Sequence, residues 1–255
     1  MSLQDQGMTL TDWHERYLQQ ARWTQDVRRH LFKKAGLEPD DKVLEVGVGT
    51  GAVLGQIAAD YPSDLVGIDI DYQSLHFAGS ILPTSSLIQA DAHLLPIPDG
   101  LFSLTYCHYL LMWVADPGRV IAEMHRVTQP GGYVAALAES DYSGRIDFPP
   151  PLDKLGELQT DALQAQGADI RMGRKLGELF NAAGLSDIEF GIFGSQWQTE
   201  NPQDTDETEW MTILSDLGER ISIKELAQYQ QADKQARNAG SRVLFIPTFY
   251  AIGKV

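Results

Sequence analysis

A chain of 255 residues is long enough to bury a full core, either as one domain or as one large domain with a small cap. Its formal net charge of -15 opposes attraction to a phosphate backbone, so a nucleic-acid partner would need a local basic patch. No apolar run of about 18 residues is present, and Met1-Ser2-Leu3-Gln4-Asp5 has neither the basic flank nor the apolar stretch of a signal peptide, which predicts a cytoplasmic protein without a membrane span. The single cysteine, Cys107, excludes an intrachain disulfide and a multi-cysteine metal site; within an apolar strand pattern it is expected to be a buried, inert thiol.

Thr9 to Ala35 reads as one or two helices, with Thr9 or Thr11 as a cap and Gly36 as terminator. Trp13, Tyr17, Trp23, Val27, Leu31 and Phe32 supply an aromatic-rich face for packing on the core or for closing over a ligand. Arg16, Arg22, Arg28, Arg29, Lys33 and Lys34 are the main basic concentration, but Glu15 and Asp26 interrupt it. The next strand, 42 to 46, empties into Gly47-Val48-Gly49-Thr50-Gly51 and then a helical pattern. Alternating glycines permit positive φ and remove the Cβ atoms that would keep a ligand off the turn, so this is a nucleotide-cofactor loop. A dinucleotide loop would read G-x-G-x-x-G, and a phosphate loop would end in Lys followed by Ser or Thr. Here the spacing is G-x-G-x-G, and Ala52, Val53 and Leu54 follow. Glu45, two residues before the first glycine, argues against a polyanion and for a ligand with a sulfonium or an amine.

Further strands are expected at 65 to 69, 86 to 89, 101 to 107 and 132 to 138, with helices at 51 to 59, 74 to 78 and 117 to 127 and a turn at Pro130-Gly131-Gly132. The alternation argues for an α/β fold, a mostly parallel sheet covered by helices on both faces. A periodic helix from Met172 to Ala183 ends at Gly184, and Asp187 to Phe193 and Arg242 to Ile252 read as the last two strands. Glu139 to Asp169 and Ser195 to Gly240 are too long for simple connections and read as cap material over the carboxyl ends of the strands. The second carries helical patterns from Glu207 to Gly218 and Ser222 to Asn238; the acidic stretch Glu200 to Glu209 reads as a solvated loop.

Glu45 to Gly51 resembles the first motif of class I S-adenosylmethionine-dependent methyltransferases, in the small-molecule branch that includes ubiquinone and menaquinone enzymes (methyltransferase type 11). Val66-Gly67-Ile68-Asp69, Gln89-Ala90-Asp91-Ala92, Asp99 to His108 and Glu123 to Gly132 resemble the following motifs in order, so about 43 to 138 is covered. The resemblance implies a Rossmann-like fold with a mainly parallel seven-stranded sheet whose last strand is antiparallel. It also implies an N-terminal helical lid (1–36) before a catalytic domain (37–255), with cap insertions at about 139–169 and 195–240.

For S-adenosyl-L-methionine, the expected contacts are Gly47, Gly49 and Gly51 under the methionine portion and Glu45 toward the ammonium or the loop backbone. Asp69, with Asp71 as its rival, would take both ribose hydroxyls, and Ile70 would lie on the adenine. Asp91 and the Ala92 amide would meet the adenine edge, unless Asp91 serves only as a helix cap. His108, leaving the fourth strand, is the candidate general base or substrate orienter, against a backbone-bonded core-edge histidine. Tyr17, Trp23, Tyr106, Tyr109, Trp113 and Tyr142 are candidates for an aromatic substrate pocket. Asp116, Glu139 and Asp141 are available to a metal but show no recognisable arrangement, and His93, His108 and His125 show no helical pairing; no metal is expected. The expected activity is methyl transfer to a small molecule, giving S-adenosylhomocysteine. Methylation of a protein or nucleic acid is the next reading, and a non-catalytic cofactor-binding regulator the third. The oligomeric state is not readable from the sequence.

Overall fold

The computed structural model describes residues 8–61, 64–193 and 202–255, of which residues 60, 202–208 and 219 are described by their backbone alone. The first seven residues of the expected lid, the start of the expected second cap at 195 and the opening of the acidic stretch at 200 lie outside the described residues.

Two helices come first, α1 (Leu10–Trp23) and α2 (Gln25–Ala35). Thr9 and Asp12 close a reciprocal capping box on α1, and Gly36 ends α2 with φ 64°, the left-handed cap that glycine adopts without a Cβ penalty. The core then alternates: β1 (Lys42–Val46), α3 (Ala52–Asp60), β2 (Asp64–Asp69), α4 (Tyr72–Ile81), β3 (Ser86–Gln89), β4 (Phe102–Cys107), α5 (Pro117–Val127) and β5 (Thr128–Ser140). The Pro130-Gly131-Gly132 turn is absorbed into β5 as a register shift between the pairs Phe102↔Thr128 and Leu104↔Tyr133. After β6 (Ile146–Phe148), α6 (Leu152–Ala165) and α7 (Met172–Ala182) come β7 (Ser186–Phe193), α8 (Pro202–Leu217), α9 (Ile223–Asn238), β8 (Val243–Phe245) and β9 (Thr248–Lys254).

Seven strands form one sheet in the order β3-β2-β1-β4-β5-β9-β7. The first five are parallel, and β9 runs antiparallel to both β5 and β7. The fold is therefore α/β and Rossmann-like, with helices over both faces. Val43, Leu65, Leu104, Tyr106 and Leu137 face Leu31, Phe32, Leu54, Ile57 and Leu75 on one side. Leu44, Val46, Ile68, Cys107 and Ala136 face Val120, Ile121, Met124, Leu176 and Phe180 on the other. Cys107 is fully buried, and burial pushes its thiol well up.

Two expectations need correction. Arg242 to Ile252 is not one strand: it breaks at Ile246-Pro247, because proline cannot donate to a ladder, and β8 pairs with β6 outside the main sheet. The acidic stretch expected as a loop is helical from Pro202 onward, with proline in the first turn where its missing N–H costs nothing. Leu152, Leu155 and Ala162 of α6, Ile213 and Leu217 of α8 and Ala236 of α9 form a third, separate apolar cluster. The segments flanking β7 thus share a small core of their own.

Candidate functional site

The order of the parallel strands reverses between β1 and β4, and at such a reversal the loops leaving adjacent strands diverge and open a crevice at their carboxyl ends. The glycine loop follows β1 there. Gly47, Gly49 and Gly51 all have positive φ, at 78°, 51° and 80°. Their surroundings differ: a Cβ on Gly47 would meet Leu110 Cδ1 at 2.8 Å and one on Gly51 would meet Leu82 Cδ1 at 2.7 Å, so both let the loop seat on the core. At Gly49 the nearest atom would be Tyr17 Cε2, 3.8 Å away, so its open face looks toward α1.

Asp69, at the end of β2, accepts the Gly49 amide on Oδ2 at 2.7 Å and the Asp71 amide on Oδ1 at 2.9 Å. Burial raises its pKa, and these amide bonds oppose the rise. The two oxygens are therefore not both free for a diol; each has one lone pair beyond the bond that pins the glycine loop to β2. Asp71, the rival, is the α4 N-cap, accepting from the amides of Gln73 and Ser74. Ile70 between them is 67% exposed. Asp91 accepts both the His93 amide at 2.9 Å and the His93 Nδ1 at 2.6 Å on one oxygen, bonds that lower its pKa. It organises the 91–94 turn, and Ala92 is half-buried in it.

Glu45 is only 2% exposed, and its Oε2 accepts the Tyr106 hydroxyl at 2.7 Å. Burial pushes its pKa up to about 8, with the Tyr106 bond and the nearby Arg28 charge acting in the opposite direction. Its partner is thus Tyr106, directly across from it on the neighbouring strand β4. Tyr106 is corrected: it lines no pocket, since it is fully buried with its ring edge-on to Phe32 of α2 at 5.6 Å. A parallel strand covered on both faces gives no sequence clue to which side chains reach a crevice.

His108 leaves β4 half-buried, 3.0 Å by Nε2 from the Thr24 hydroxyl between α1 and α2. Burial, with the Arg28 charge adding, holds its pKa down to about 3. The ring is thus tied to Thr24 by a side-chain hydroxyl rather than by the backbone. Tyr109 follows with φ 52°, uncommon for a bulky residue, its amide bonded to the Ala138 carbonyl at 2.9 Å. The polypeptide after it is held by Glu139, whose fully buried carboxylate accepts the amides of Leu110, Leu111 and Met112 at 2.8 to 3.2 Å. Burial pushes Glu139 up to about 7 against those three bonds.

From above, α1 lies over the loop. His14 Nδ1 is 2.9 Å from Thr50 Oγ1, and Tyr17 feels the charges of Asp69 and Asp71, which add to the upward effect of burial on its hydroxyl. Trp13 and Tyr17 have ring centroids 5.6 Å apart. Arg16, unnoticed as a site residue in the sequence, lies 4.9 Å over the Trp23 ring and donates Nη1 to Gln19 at 2.7 Å. Trp23 and Trp113 both remain partly exposed at the surface, whereas Tyr142 is half-buried beside the Arg16 charge. The spacing Trp13, Arg16, Tyr17, Gln20, Thr24 marks one helix face carrying polar groups, the signal that could have singled out Arg16 and Thr24.

The three acids considered for a metal are each engaged: Asp116 caps α5 through the Arg119 amide, Glu139 holds three amides, and Asp141 pairs with Arg174 and accepts from Ser143. No cluster of three metal-type ligands occurs among the described residues, and no described helix is long and apolar enough to cross a membrane. A groove of about 450 Å³ runs between β6 and α6, lined by Tyr142, Arg145, Asp147 and Glu157; it excludes the glycine loop.

Residues 44–136 match the family model described as a methyltransferase domain (methyltransferase type 11). Over this segment, from β1 through the glycine loop into β5, the chain is similar to class I S-adenosylmethionine-dependent methyltransferases. Beyond the domain core, the chain is 28% identical over 203 residues to the ubiquinone/menaquinone biosynthesis C-methyltransferase UbiE of Desulfotalea psychrophila, covering 70% of this chain and 80% of that protein. It is 32% identical over 112 residues to a malonyl-acyl-carrier-protein O-methyltransferase of Marinomonas sp., but covers only 42% of that relative's length. The solved 4+2 cyclase SpnF has the same fold, with a TM-score of 0.59, 20% identity and coverage of 92% of this chain and 80% of that one. The methyltransferase domain therefore has relatives named for carbon and for oxygen transfer.

Proposed function

We propose that this protein transfers a methyl group from S-adenosyl-L-methionine to a small-molecule acceptor, releasing S-adenosylhomocysteine, in the manner of the ubiquinone and menaquinone branch. The observation that carries this reading is the open face of Gly49, bonded to Asp69 at 2.7 Å, at the strand reversal and beneath Tyr17. The residues fit the cofactor: a Cβ-free turn for the methionine portion along Gly47, Gly49 and Gly51, the remaining lone pairs of Asp69 for ribose hydroxyls, and the exposed Ile70 side chain for the adenine face. Asp91 retains one oxygen outside its His93 bonds for the adenine amine, and the Ala92 amide stands beside it.

When bound, the cofactor supplies an electrophilic methyl on a good leaving group, so the protein's work is positioning. Glu45, through Tyr106, stiffens the strand under the loop. Glu139 fixes the 110–112 amides, and Leu110 in turn backs Gly47. His108 orients rather than deprotonates, and an acceptor proton leaves to water. Tyr17, Trp23, Tyr109 and Tyr142 supply aromatic walls toward the acceptor, where a cation-π contribution to the sulfonium is available from a ring face. In this reading 1–36 acts as a lid, 139–169 and 195–240 cap the acceptor end of the catalytic domain, and the cytoplasm is the working compartment.

Titration calorimetry of the full chain with S-adenosylhomocysteine tests the reading. Micromolar binding is expected, weakened at least tenfold by Asp69→Ala; affinity unchanged within twofold removes the ribose role of Asp69, and no binding to the unaltered chain removes the methyltransferase reading.

A further inference from the structure

Among the described residues, two buried side-chain polar atoms have no hydrogen-bond partner: Trp13 Nε1 and Arg16 Nε. Both lie on α1, three residues apart and therefore on one face. An unmet buried donor costs about 1 to 3 kcal/mol, so two on one helical face mark a place where acceptor atoms are missing. Arg16 is otherwise well held. Its Nη1 is bonded to Gln19, and its guanidinium rests on the Trp23 ring, which leaves the Nε edge pointed rather than free to wander.

The surroundings of this edge distinguish it from the cofactor loop. The Arg16 charge acts on Tyr109 at the β4 exit, on Tyr142 after β5, and on Glu209 and Asp216 of α8. Tyr109 follows β4, Tyr142 follows β5 and the two acids lie on α8, so none of the four belongs to the glycine turn. Burial raises both α8 acids. Asp216 is also occupied as an acceptor from Gln159 Nε2 at 2.6 Å, and Glu209 from Arg237 at 3.1 Å.

We propose that Arg16 Nε and Trp13 Nε1 receive a carboxylate of the methyl acceptor, so that the substrate is an organic acid with an apolar body against Tyr109 and Tyr142. The proposal rests on the methyltransferase reading above. A guanidinium edge matches a planar carboxylate and gains roughly twice the strength of a neutral bond from its charge. The indole N–H adds direction, since it is a donor only and cannot serve a cationic group. The same chemistry is present in the cofactor's own methionine carboxylate; the donors are assigned to the acceptor because α1 packs on α8 of the 195–240 segment as well as over the loop.

The test uses the full chain saturated with S-adenosylhomocysteine and measures binding of benzoate, 4-hydroxybenzoate and decanoate, each beside its primary amide. At least one acid is expected to bind tenfold or more tightly than its amide. That preference should fall below twofold in Arg16→Gln and drop about threefold in Trp13→Phe, which keeps the ring and the packing if the arginine variant does not fold. The affinity for S-adenosylhomocysteine should stay within twofold in both. The proposal is overturned by no acid preference in the panel, by a preference that survives both substitutions, or by a tenfold loss of S-adenosylhomocysteine affinity in Arg16→Gln, which would assign the donors to the cofactor. An unaltered chain that binds no S-adenosylhomocysteine yet prefers acids would remove the methyltransferase reading and leave the carboxylate site standing.

Discussion

The glycine-loop end and the cap end of the molecule hold their charges in different ways. Around the loop, Asp69 is bonded to the amides of Gly49 and Asp71 and Glu139 to those of Leu110, Leu111 and Met112. In the cap, charge meets charge. Arg145 pairs with Asp147, Asp147 with Arg242, Arg242 with Asp233, Asp233 with Arg237 and Arg237 with Glu209. A carboxylate on backbone amides fixes the path of the chain itself, whereas a side-chain chain of ions fixes how separate elements dock. The second can therefore be rebuilt without touching the loop.

The largest effect is expected at the loop. Gly51→Val combines a β-branched side chain at φ 80° with collision against Leu82 and Ala78, and the sum of left-handed strain and overpacking is about 2 to 5 kcal/mol. Chemical denaturation should show that loss together with loss of S-adenosylhomocysteine binding; a stable, binding variant would break the account of the loop.

Next comes the cap. Arg242 bridges Asp147 and Asp233 while nearly buried, and Arg242→Met removes both bonds but leaves Asp147 its Arg145 and Asp233 its Arg237, at a cost of about 1 to 3 kcal/mol. Limited proteolysis should cut first in 146–165 or 209–245, with cofactor affinity retained within twofold. Equal loss of both properties would erase the distinction between the two ends.

Titration sharpens the comparison further. Glu139 and Glu45 have folded pKa values of about 7 and about 8, above their ordinary 4.5, so the folded state holds these protons more tightly than the unfolded chain does. Their contribution is fully present below pH about 4.5 and is lost as pH rises through the folded values, on the order of 3 kcal/mol for Glu139 alone. Stability measured from pH 5 to 8.5 should therefore decline, and Glu139→Gln should flatten the lower part of the decline. A slope unchanged by that substitution would show that the three amides, rather than burial, govern this carboxyl.

His108→Gln should have the smallest effect. It exchanges one neutral partner of Thr24 for another, at about 1 kcal/mol or less. Once an acceptor is known, the pH profile of turnover from 6 to 8 should keep its shape, and a lost ionisation in that range would restore the general base.

Much of the frame was legible along the chain. Val43 to Val46 passing into three spaced glycines, the Asp116-Pro117 start of α5, and the Thr9 and Gly36 caps depend on residues within a few positions of one another. Arg242 to Ile252 has the pattern of one strand because apolar, β-prone residues flank a single Pro247, whose effect on pairing depends on the partner strand. The acidic stretch misled because its polarity resembles that of a loop; Glu209 finds its cation, Arg237, 28 residues away.

The sequence by itself determined the strand, glycine and helix cycle, the order of the acids and hence the class of fold, because backbone conformation and periodicity are local properties. Only the tertiary structure decided that Tyr106 serves Glu45 from 61 residues away, that His108 is bonded to Thr24, and that Arg16 and Trp13 each carry a buried donor without a partner. Such roles arise where distant elements meet and exclude water, and no spacing within one segment records which elements those will be.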